Sequence, residues 1–260
     1  GGDYRLMTGN ETGIMLMNYI LSCRKQNGTL PERPVAVKTI VTSEMIPRIC
    51  ADYGCELRNV LTGFKYIGEQ ILGLEQAGEA DRFVFGFEES YGYLAGTYVR
   101  DKDAVVTSML ICEMAAYYRK QGKSLVQVMN ELYDRYGYYQ NTTLSYSFEG
   151  AEGMEIMANK MSQLRQRPFQ EIAGMKVTKI ADYELSQSAD LTTGEKTEIK
   201  LPKSNVLSYS LEGGAAVIVR PSGTEPKIKV YVTSVGKDLQ NASAITKQLG
   251  DFMGGVINEG

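Results

Sequence analysis

Residues 217–232 read Val-Ile-Val-Arg-Pro-Ser-Gly-Thr-Glu-Pro-Lys-Ile-Lys-Val-Tyr-Val, two apolar-patterned runs around a short loop. The loop concentrates donors. Arg220 offers a planar fork that matches phosphate oxygens, and the hydroxyls of Ser222 and Thr224 can donate from either side. Gly223 lets the backbone approach closely and turn its N–H toward an anion. Pro221 and Pro226 lower the entropy lost in holding the loop still. Each charge-assisted hydrogen bond contributes about 1.5–3 kcal/mol, so a few together would hold a phosphate in water. The alternative reading is a plain polar hairpin turn, since Pro, Ser and Gly are common there.

A second stretch, residues 86–104, reads Gly-Phe-Glu-Glu-Ser-Tyr-Gly-Tyr-Leu-Ala-Gly-Thr-Tyr-Val-Arg-Asp-Lys-Asp-Ala. It follows an apolar strand pattern, where ligand-binding loops sit in open α/β sheets. Glu88, Glu89 and Ser90 supply acceptors suited to sugar hydroxyls, and Tyr91 and Tyr93 supply flat faces. Arg100 and Lys102 bring cations to a helix start, where they oppose the dipole and would suit an anionic ligand. A solvated loop with these charges paired to Asp101 and Asp103 is the competing reading. Lys65, at a strand-to-helix junction after Gly63, faces the same sheet edge.

Other chemistry is excluded by what the sequence lacks. It contains no histidine, so serine–histidine and cysteine–histidine nucleophile pairs and histidine metal sites are ruled out. No CxxC or DxDxD run is present, and no metal site is expected on this chain. The Gly-Lys-Ser at 122–124 is no P-loop, because Tyr117 stands where the motif needs its first glycine and two helix patterns flank it. Met7, Met15 and Met17 read as core filler.

Positioning these residues takes two domains, which 260 residues allow. At 43% hydrophobic and 23% charged, with net charge −3, the composition is that of a soluble globular protein. Neither half is basic, so nucleic acid is not an expected partner. No apolar run approaches the roughly 18 residues of a membrane span, and the first residues lack a signal-peptide order. Cys23, Cys50, Cys55 and Cys112 have no framework spacing and read as buried free thiols in a reducing cytoplasm.

Periodicity predicts a helix from Asn10 to Gly28, a strand over 34–42, a helix capped by Ser43 with Pro47 in its first turn, a strand over 55–61, a helix over 63–78 and a strand over 82–87. Helices over 103–121 and 124–136 follow, with Asp101 or Asp103 and Ser124 as caps. This alternation predicts a layered, Rossmann-like α/β domain with a largely parallel sheet over 1–137. The rest, 138–260, reads as a smaller α+β domain with an antiparallel sheet. Its strands are expected over 138–150, 175–183, 197–200, 205–211, 215–220 and 227–235, with a helix ended by Pro168 and another closing the chain.

The segments Thr-Gly-Asn-Glu-Thr-Gly (8–13), Thr-Gly-Phe-Lys-Tyr-Ile-Gly-Glu (62–69), Gly-Phe-Glu-Glu-Ser-Tyr-Gly (86–92), Tyr-Val-Arg-Asp-Lys-Asp-Ala (98–104) and Arg-Pro-Ser-Gly-Thr-Glu-Pro (220–226) occur in the order seen in the α-D-phosphohexomutases. The chain resembles the third and fourth domains of that phosphoglucomutase/phosphomannomutase family, the fourth having a fold similar to the TATA-binding protein. The resemblance implies interconversion of hexose 1- and 6-phosphates by a phosphoserine, through a glucose 1,6-bisphosphate-type intermediate. By the same resemblance, Glu88 and Ser90 would hold sugar hydroxyls, with Lys65 and Arg100 near the sugar. Arg220, Ser222, Gly223 and Thr224 would cradle the phosphate not being transferred. Lys102 would stabilise charge on the transferring group, the nearest approach to a catalytic residue here.

The departures define what is missing. The family's serine loop, Thr-Ala-Ser-His-Asn-Pro, and its Asp-x-Asp-x-Asp loop for Mg2+ are absent and belong to the first two domains. The chain therefore resembles a C-terminal half, inactive alone, whose partners would be hexose phosphates and the missing N-terminal domains. Phe87 stands where many members have glycine, which leaves glucose, mannose and pentose phosphates open as substrates. A free-standing, non-catalytic sugar-phosphate-binding module is the alternative.

Overall fold

The computed structural model describes residues 4–150 and 152–258. The chain forms two compact units, the first ending at Gly137 and the second beginning at Tyr138.

The first unit contains α1 (Gly9–Gln26), β1 (Val35–Thr39), α2 (Ile46–Asp52), β2 (Glu56–Val60), α3 (Phe64–Gln76), β3 (Phe83–Glu88), β4 (Gly92–Leu94), α4 (Ala104–Lys120) and α5 (Leu125–Tyr136). The sheet order is β2-β1-β3-β4, with β1 parallel to β2 and β3, and β4 antiparallel at the edge. Every residue of β1 is buried, as a strand covered by helices on both faces must be. One face packs Val35, Val37, Val60 and Phe83 against Phe64, Ile67 and Ile71 of α3.

A register shift in the β1–β3 ladder pairs Val35 with Phe83 but Ala36 with Phe85. It turns Phe85 and Phe87 to the opposite face, where they stack with Tyr93 at ring separations of 5.6–6.3 Å. Both phenylalanines are fully buried, which stabilises the unit by about 2–3 kcal/mol each. Gly13 of α1 leaves the room they need, since a Cβ there would stand 2.1 Å from the Phe87 ring.

Two expected helix starts are corrected. Thr8, not Asn10, caps α1, in a capping box with Glu11. The Asn10 carboxamide instead accepts the Ser43 N–H at 2.9 Å. Ser43 is thereby held in the turn after β1, and α2 begins at Ile46 with no side-chain cap but with Pro47 in its first turn. Asp103 and Ser124 do cap α4 and α5. The stretch 86–104 is not all loop, because β4 folds back on the end of β3 through the pairs Glu88–Gly92 and Phe87–Tyr93. Three residues are too short a run to show periodicity.

The second unit runs β5 (Tyr138–Ser147), α6 (Gly153–Gln166), β6 (Glu171–Ile172), β7 (Met175–Asp182), β8 (Gln187–Asp190), β9 (Lys196–Glu198), β10 (Leu207–Leu211), β11 (Ala216–Pro221), β12 (Lys227–Gly236) and α7 (Leu239–Asn258). All pairings are antiparallel, in the order β5-β12-β11-β10-β7-β8-β9, with β6 beside β7. Alternate residues Val217, Val219, Val230 and Val232 face Met157, Met161 and Leu164 of α6 and Leu249 and Met253 of α7. The short strands β6 and β8 carry too little apolar pattern to be read from sequence. No helix among the described residues is long and apolar enough to cross a membrane.

The thiols differ from expectation. Cys23 on α1 is half-buried, and Cys112 is exposed because α4 is apolar around much of its circumference and turns Val105, Met109 and Cys112 outward. Cys50 and Cys55 are buried and close the C-terminus of α2: the Cys55 N–H reaches the Cys50 carbonyl at 2.9 Å, and Gly54 takes φ +61°. This is the C3-to-C″ contact of a Schellman motif. Their hydrogen bond and burial push the Cys50 thiol well above its usual pKa. Titration with an aromatic disulfide reagent should therefore modify Cys112 rapidly, with Cys50 and Cys55 reacting only on unfolding. Rapid loss of either α2 thiol in the folded chain would contradict this packing.

Candidate functional site

Parallel pairing places the C-terminal ends of β1, β2 and β3 on one edge of the first unit's sheet, where α/β domains bind ligands. Glu88 closes β3 there, 7% exposed. One carboxylate oxygen accepts the Gly63 N–H at 2.9 Å. Gly63 precedes α3 with φ 124° and ψ 123°, a conformation that suits only glycine. Glu88 thus fixes the entry to α3 with one oxygen.

The other oxygen borders a space left by Gly92. A Cβ on Gly92 would stand 3.2 Å from Glu88 Oε2 and 2.8 Å from Cδ of Lys102. Glu88 and Lys102, fourteen positions apart in sequence, therefore flank one bare backbone site. The Lys102 ammonium lies 5.2 Å from the Phe64 ring centre and 2.8 Å from Asp101. The Lys102 ammonium, with the Lys102 N–H, holds the Asp101 carboxyl below the usual carboxylate range. Asp103 is also held low, by the N–H groups of α4 and the Tyr98 hydroxyl.

Ser90 and Tyr91 form the exposed hairpin tip, with Tyr91 at φ 63°. Such a backbone costs about 1–3 kcal/mol and persists only where the surroundings hold it. Here they do: the Tyr91 hydroxyl donates to the Met7 carbonyl at 3.1 Å, and the Tyr93 hydroxyl to the Gly9 carbonyl at 2.8 Å. Burial pushes the Tyr93 phenol well above its ordinary pKa. The start of α1 is the brace of the hairpin, which accounts for the Thr-Gly-Asn-Glu-Thr-Gly segment. Phe87 does not line this edge, since its side chain is buried on the Gly13 face.

Lys65 is exposed in the first turn of α3, its ammonium 4.8 Å from the Tyr66 ring centre. Arg100 is not brought to Glu88. Its guanidinium pairs with Glu75 in the last turn of α3 and donates to the Thr97 carbonyl. Glu75 lies ten residues beyond Lys65, about 15 Å along a helix.

A polar group at the same edge escaped the sequence reading. Lys38, the fourth residue of β1, is fully buried. Its ammonium pairs with Glu44 at 2.8 Å and donates to the Thr42 carbonyl at 3.1 Å. The hydroxyls of Thr39 and Thr42 are 2.7 Å apart. A lone lysine inside the run Val-Ala-Val-Lys-Thr-Ile-Val was the available signal.

In the second unit, Arg220 is the last residue but one of β11, and the loop of Ser222, Gly223, Thr224 and Glu225 leads through Pro226 to β12. The Ser222 N–H donates to the Lys227 carbonyl at 2.7 Å. Its hydroxyl oxygen accepts the N–H groups of Thr224 and Glu225 at 3.4 and 3.3 Å. Pro226 anchors the far side, its carbonyl accepting the Phe148 N–H at 2.8 Å. Gly223 has no positive φ, and a Cβ there would meet nothing within 4 Å. The fold therefore does not require glycine at 223. Arg220 is half-buried and has neither an ion pair nor a hydrogen bond among the described residues. The other arginines without such a partner, Arg119 and Arg167, are exposed.

Comparison with known proteins bears on both edges. Residues 8–136 match the family model described as phosphoglucomutase/phosphomannomutase, alpha/beta/alpha domain III. Residues 169–243 match the model of the C-terminal domain of the same family. A phosphoglucomutase of Staphylococcus saprophyticus is 36% identical over 247 residues, covering 95% of this chain and 43% of the relative. One of Staphylococcus aureus strain MRSA252 is 37% identical over 232 residues, covering 89% and 41%. The chain spans less than half the length of these curated relatives. Among solved structures, the open form of the Paramecium parafusin phosphoglucomutase aligns with a TM-score of 0.63 at 17% identity, over 95% of this chain and 41% of that one. A phosphoglucomutase/phosphomannomutase family protein of Burkholderia thailandensis aligns at 0.58 and 12% identity, over 98% and 42%. These two alignments speak to fold.

Proposed function

Because this chain belongs to the phosphoglucomutase/phosphomannomutase family, we propose that it is the sugar- and phosphate-binding part of an enzyme that interconverts hexose 1- and 6-phosphates. The observation that carries this reading is the pairing of a half-buried Arg220, without an ion pair or hydrogen bond among the described residues, with a Gly223 that the fold does not need. An unsatisfied arginine beside bare backbone is costly to the protein alone and useful to an anion. In the proposed role, Arg220, the N–H of Gly223 and the hydroxyls of Ser222 and Thr224 hold the phosphate that is not transferred. Ser222 can still donate, because its oxygen only accepts within the loop.

At the other edge, Glu88 accepts from sugar hydroxyls with its second oxygen and Ser90 adds a hydroxyl partner. Lys102 and Lys65 supply positive charge near the transferring group, where positioning and electrostatics govern phosphoryl transfer. Arg100 would have to leave Glu75 to take part. The phosphoserine and the glucose 1,6-bisphosphate-type intermediate belong to the whole enzyme. Mg2+ would belong to the whole enzyme as well; among the described residues, no three or more Asp, Glu or Cys side chains gather as a metal site.

Calorimetric titration with glucose 1-phosphate tests the loop. Gly223→Ala places a methyl group where the anion would sit, and should weaken binding about tenfold, the loss of one charge-assisted hydrogen bond. Its stability should stay level or rise by about 0.5–1 kcal/mol, because the backbone there is ordinary and the space open. Unaltered affinity in the alanine variant would remove the loop from the site.

A further inference from the structure

In the second unit the last turns of α6 and α7 meet around a cavity of about 430 Å3, within the size range of small-molecule sites. Its walls are of two kinds. Leu164, Phe169 and Ile257 are apolar, whereas Lys160, Gln163 and Arg167 are polar. Among the described residues that line it, two are cations and none is an acid.

Lys160, Gln163, Leu164 and Arg167 recur at helical spacing, which gathers them on one face of α6 before Pro168. Lys160 is 6% exposed, and its ammonium lies 3.5 Å from the Val256 carbonyl in the last turn of α7. A cation suits a helix C-terminus, so this contact alone would make Lys160 a cap for α7. It does not explain Arg167, whose exposed side chain has no ion pair or hydrogen bond among the described residues. Nor does it explain open space beside an aromatic wall. The Phe169 ring is held edge-on to Tyr209 and Phe252, with ring centres 5.4 and 5.8 Å away. Each helix end brings a partial negative charge of about half a unit, which the two full positive charges outweigh. The result is an electropositive cavity with an apolar lining.

The cavity lies on the helix side of the sheet. Val219 faces α6 and α7, so Arg220, the next residue, leaves the opposite face. The cavity is thus separate from the 220–226 loop.

We propose that it binds a monoanionic amphiphile, a carboxylate carrying a medium-length apolar chain. Arg167 takes the carboxylate at the mouth with its planar fork, and Lys160 adds a fixed positive charge deeper in. The chain lies against Leu164, Phe169 and Ile257, where its removal from water supplies most of the affinity. A small dianion such as phosphate has no apolar body to cover those walls.

Calorimetric titration of the whole chain with octanoate tests this, with octan-1-ol as the neutral comparator. The native chain should bind octanoate and should bind octanol about tenfold more weakly, the weight of one charge-assisted contact. Arg167→Glu reverses an exposed charge and should weaken octanoate by at least that factor, with octanol affinity and thermal midpoint unchanged. Gln163→Trp fills the mouth from an exposed position and should weaken both probes. Lys160→Met keeps the apolar stem and should weaken octanoate without weakening octanol; should it not fold, the other two variants carry the test. If Lys160 and Arg167 serve only the helix ends, their variants melt lower and bind octanoate as the native chain does, and that result overturns the proposal. So does equal affinity for octanoate and octanol, absence of octanoate binding by the native chain, or octanoate affinity that survives Gln163→Trp, which would place the ligand elsewhere.

Discussion

Replacing Gly9 by alanine should destabilise the first unit by about 3 kcal/mol, at the upper end of what overpacking costs. A Cβ on Gly9 would stand 2.0 Å from the carbonyl oxygen of Glu89 and 2.9 Å from the N–H nitrogen of Tyr91. Both are backbone atoms, so neither can rotate away. The helix cannot retreat easily either. Its first turn is held by the Thr8–Glu11 capping box and by the Tyr93 hydroxyl on the Gly9 carbonyl. The hairpin is held in turn by the Glu88–Gly92 and Phe87–Tyr93 pairs. For a unit of this size the expected fall in thermal midpoint is roughly 10 °C. Gly73→Ala is the control, because Gly73 lies inside α3 with open space around it. It should raise stability by about 1 kcal/mol through helix propensity alone. Thermal unfolding followed by circular dichroism reads both. A Gly9→Ala chain that melts with the native one would show that α1 does not brace the Glu89–Tyr91 turn.

That brace also marks where sequence reasoning ran out. Helices α3 and α5 were legible because their apolar residues recur at helical spacing between clear stops, α5 behind its Ser124 cap, and α4 because it starts behind Asp101 or Asp103, of which Asp103 is the cap. The long antiparallel strands of the second unit were legible from alternation, as in Lys227 to Val230, and from β-branched apolar runs such as Val217 to Val219. The short strands β4, β6 and β8 were not, since two to four residues carry no period. Ser43 shows a different failure. Its type and position favour a cap, but a long-range bond from its N–H to Asn10 outweighs the local preference. The sites divide in the same way. Glu88, Ser90, Lys102 and the 220–226 loop stood out by residue type and clustering. Lys38 escaped notice because its burial depends on strands far apart in sequence.

Replacing Arg220 by methionine should lower affinity for glucose 1-phosphate about a hundredfold without lowering stability. The guanidinium can make two parallel charge-assisted bonds to a phosphate, worth about 3 kcal/mol together after desolvation, which converts to roughly that factor. The stability half of the expectation follows from what Arg220 lacks. It makes no ion pair or hydrogen bond among the described residues and faces Lys229 across the ladder. Methionine keeps much of the apolar stem that packs beside the strand and removes an unpaired half-buried charge, a change that is neutral or favourable to the fold. The loop itself should persist, since its internal bonds run from Ser222 to Lys227, Thr224 and Glu225 and none involves Arg220. Calorimetry and thermal unfolding on the same preparation separate the two possibilities. Lost binding at native stability fits a residue kept for its ligand. Lost stability at native affinity would make Arg220 a structural residue and the loop an ordinary turn.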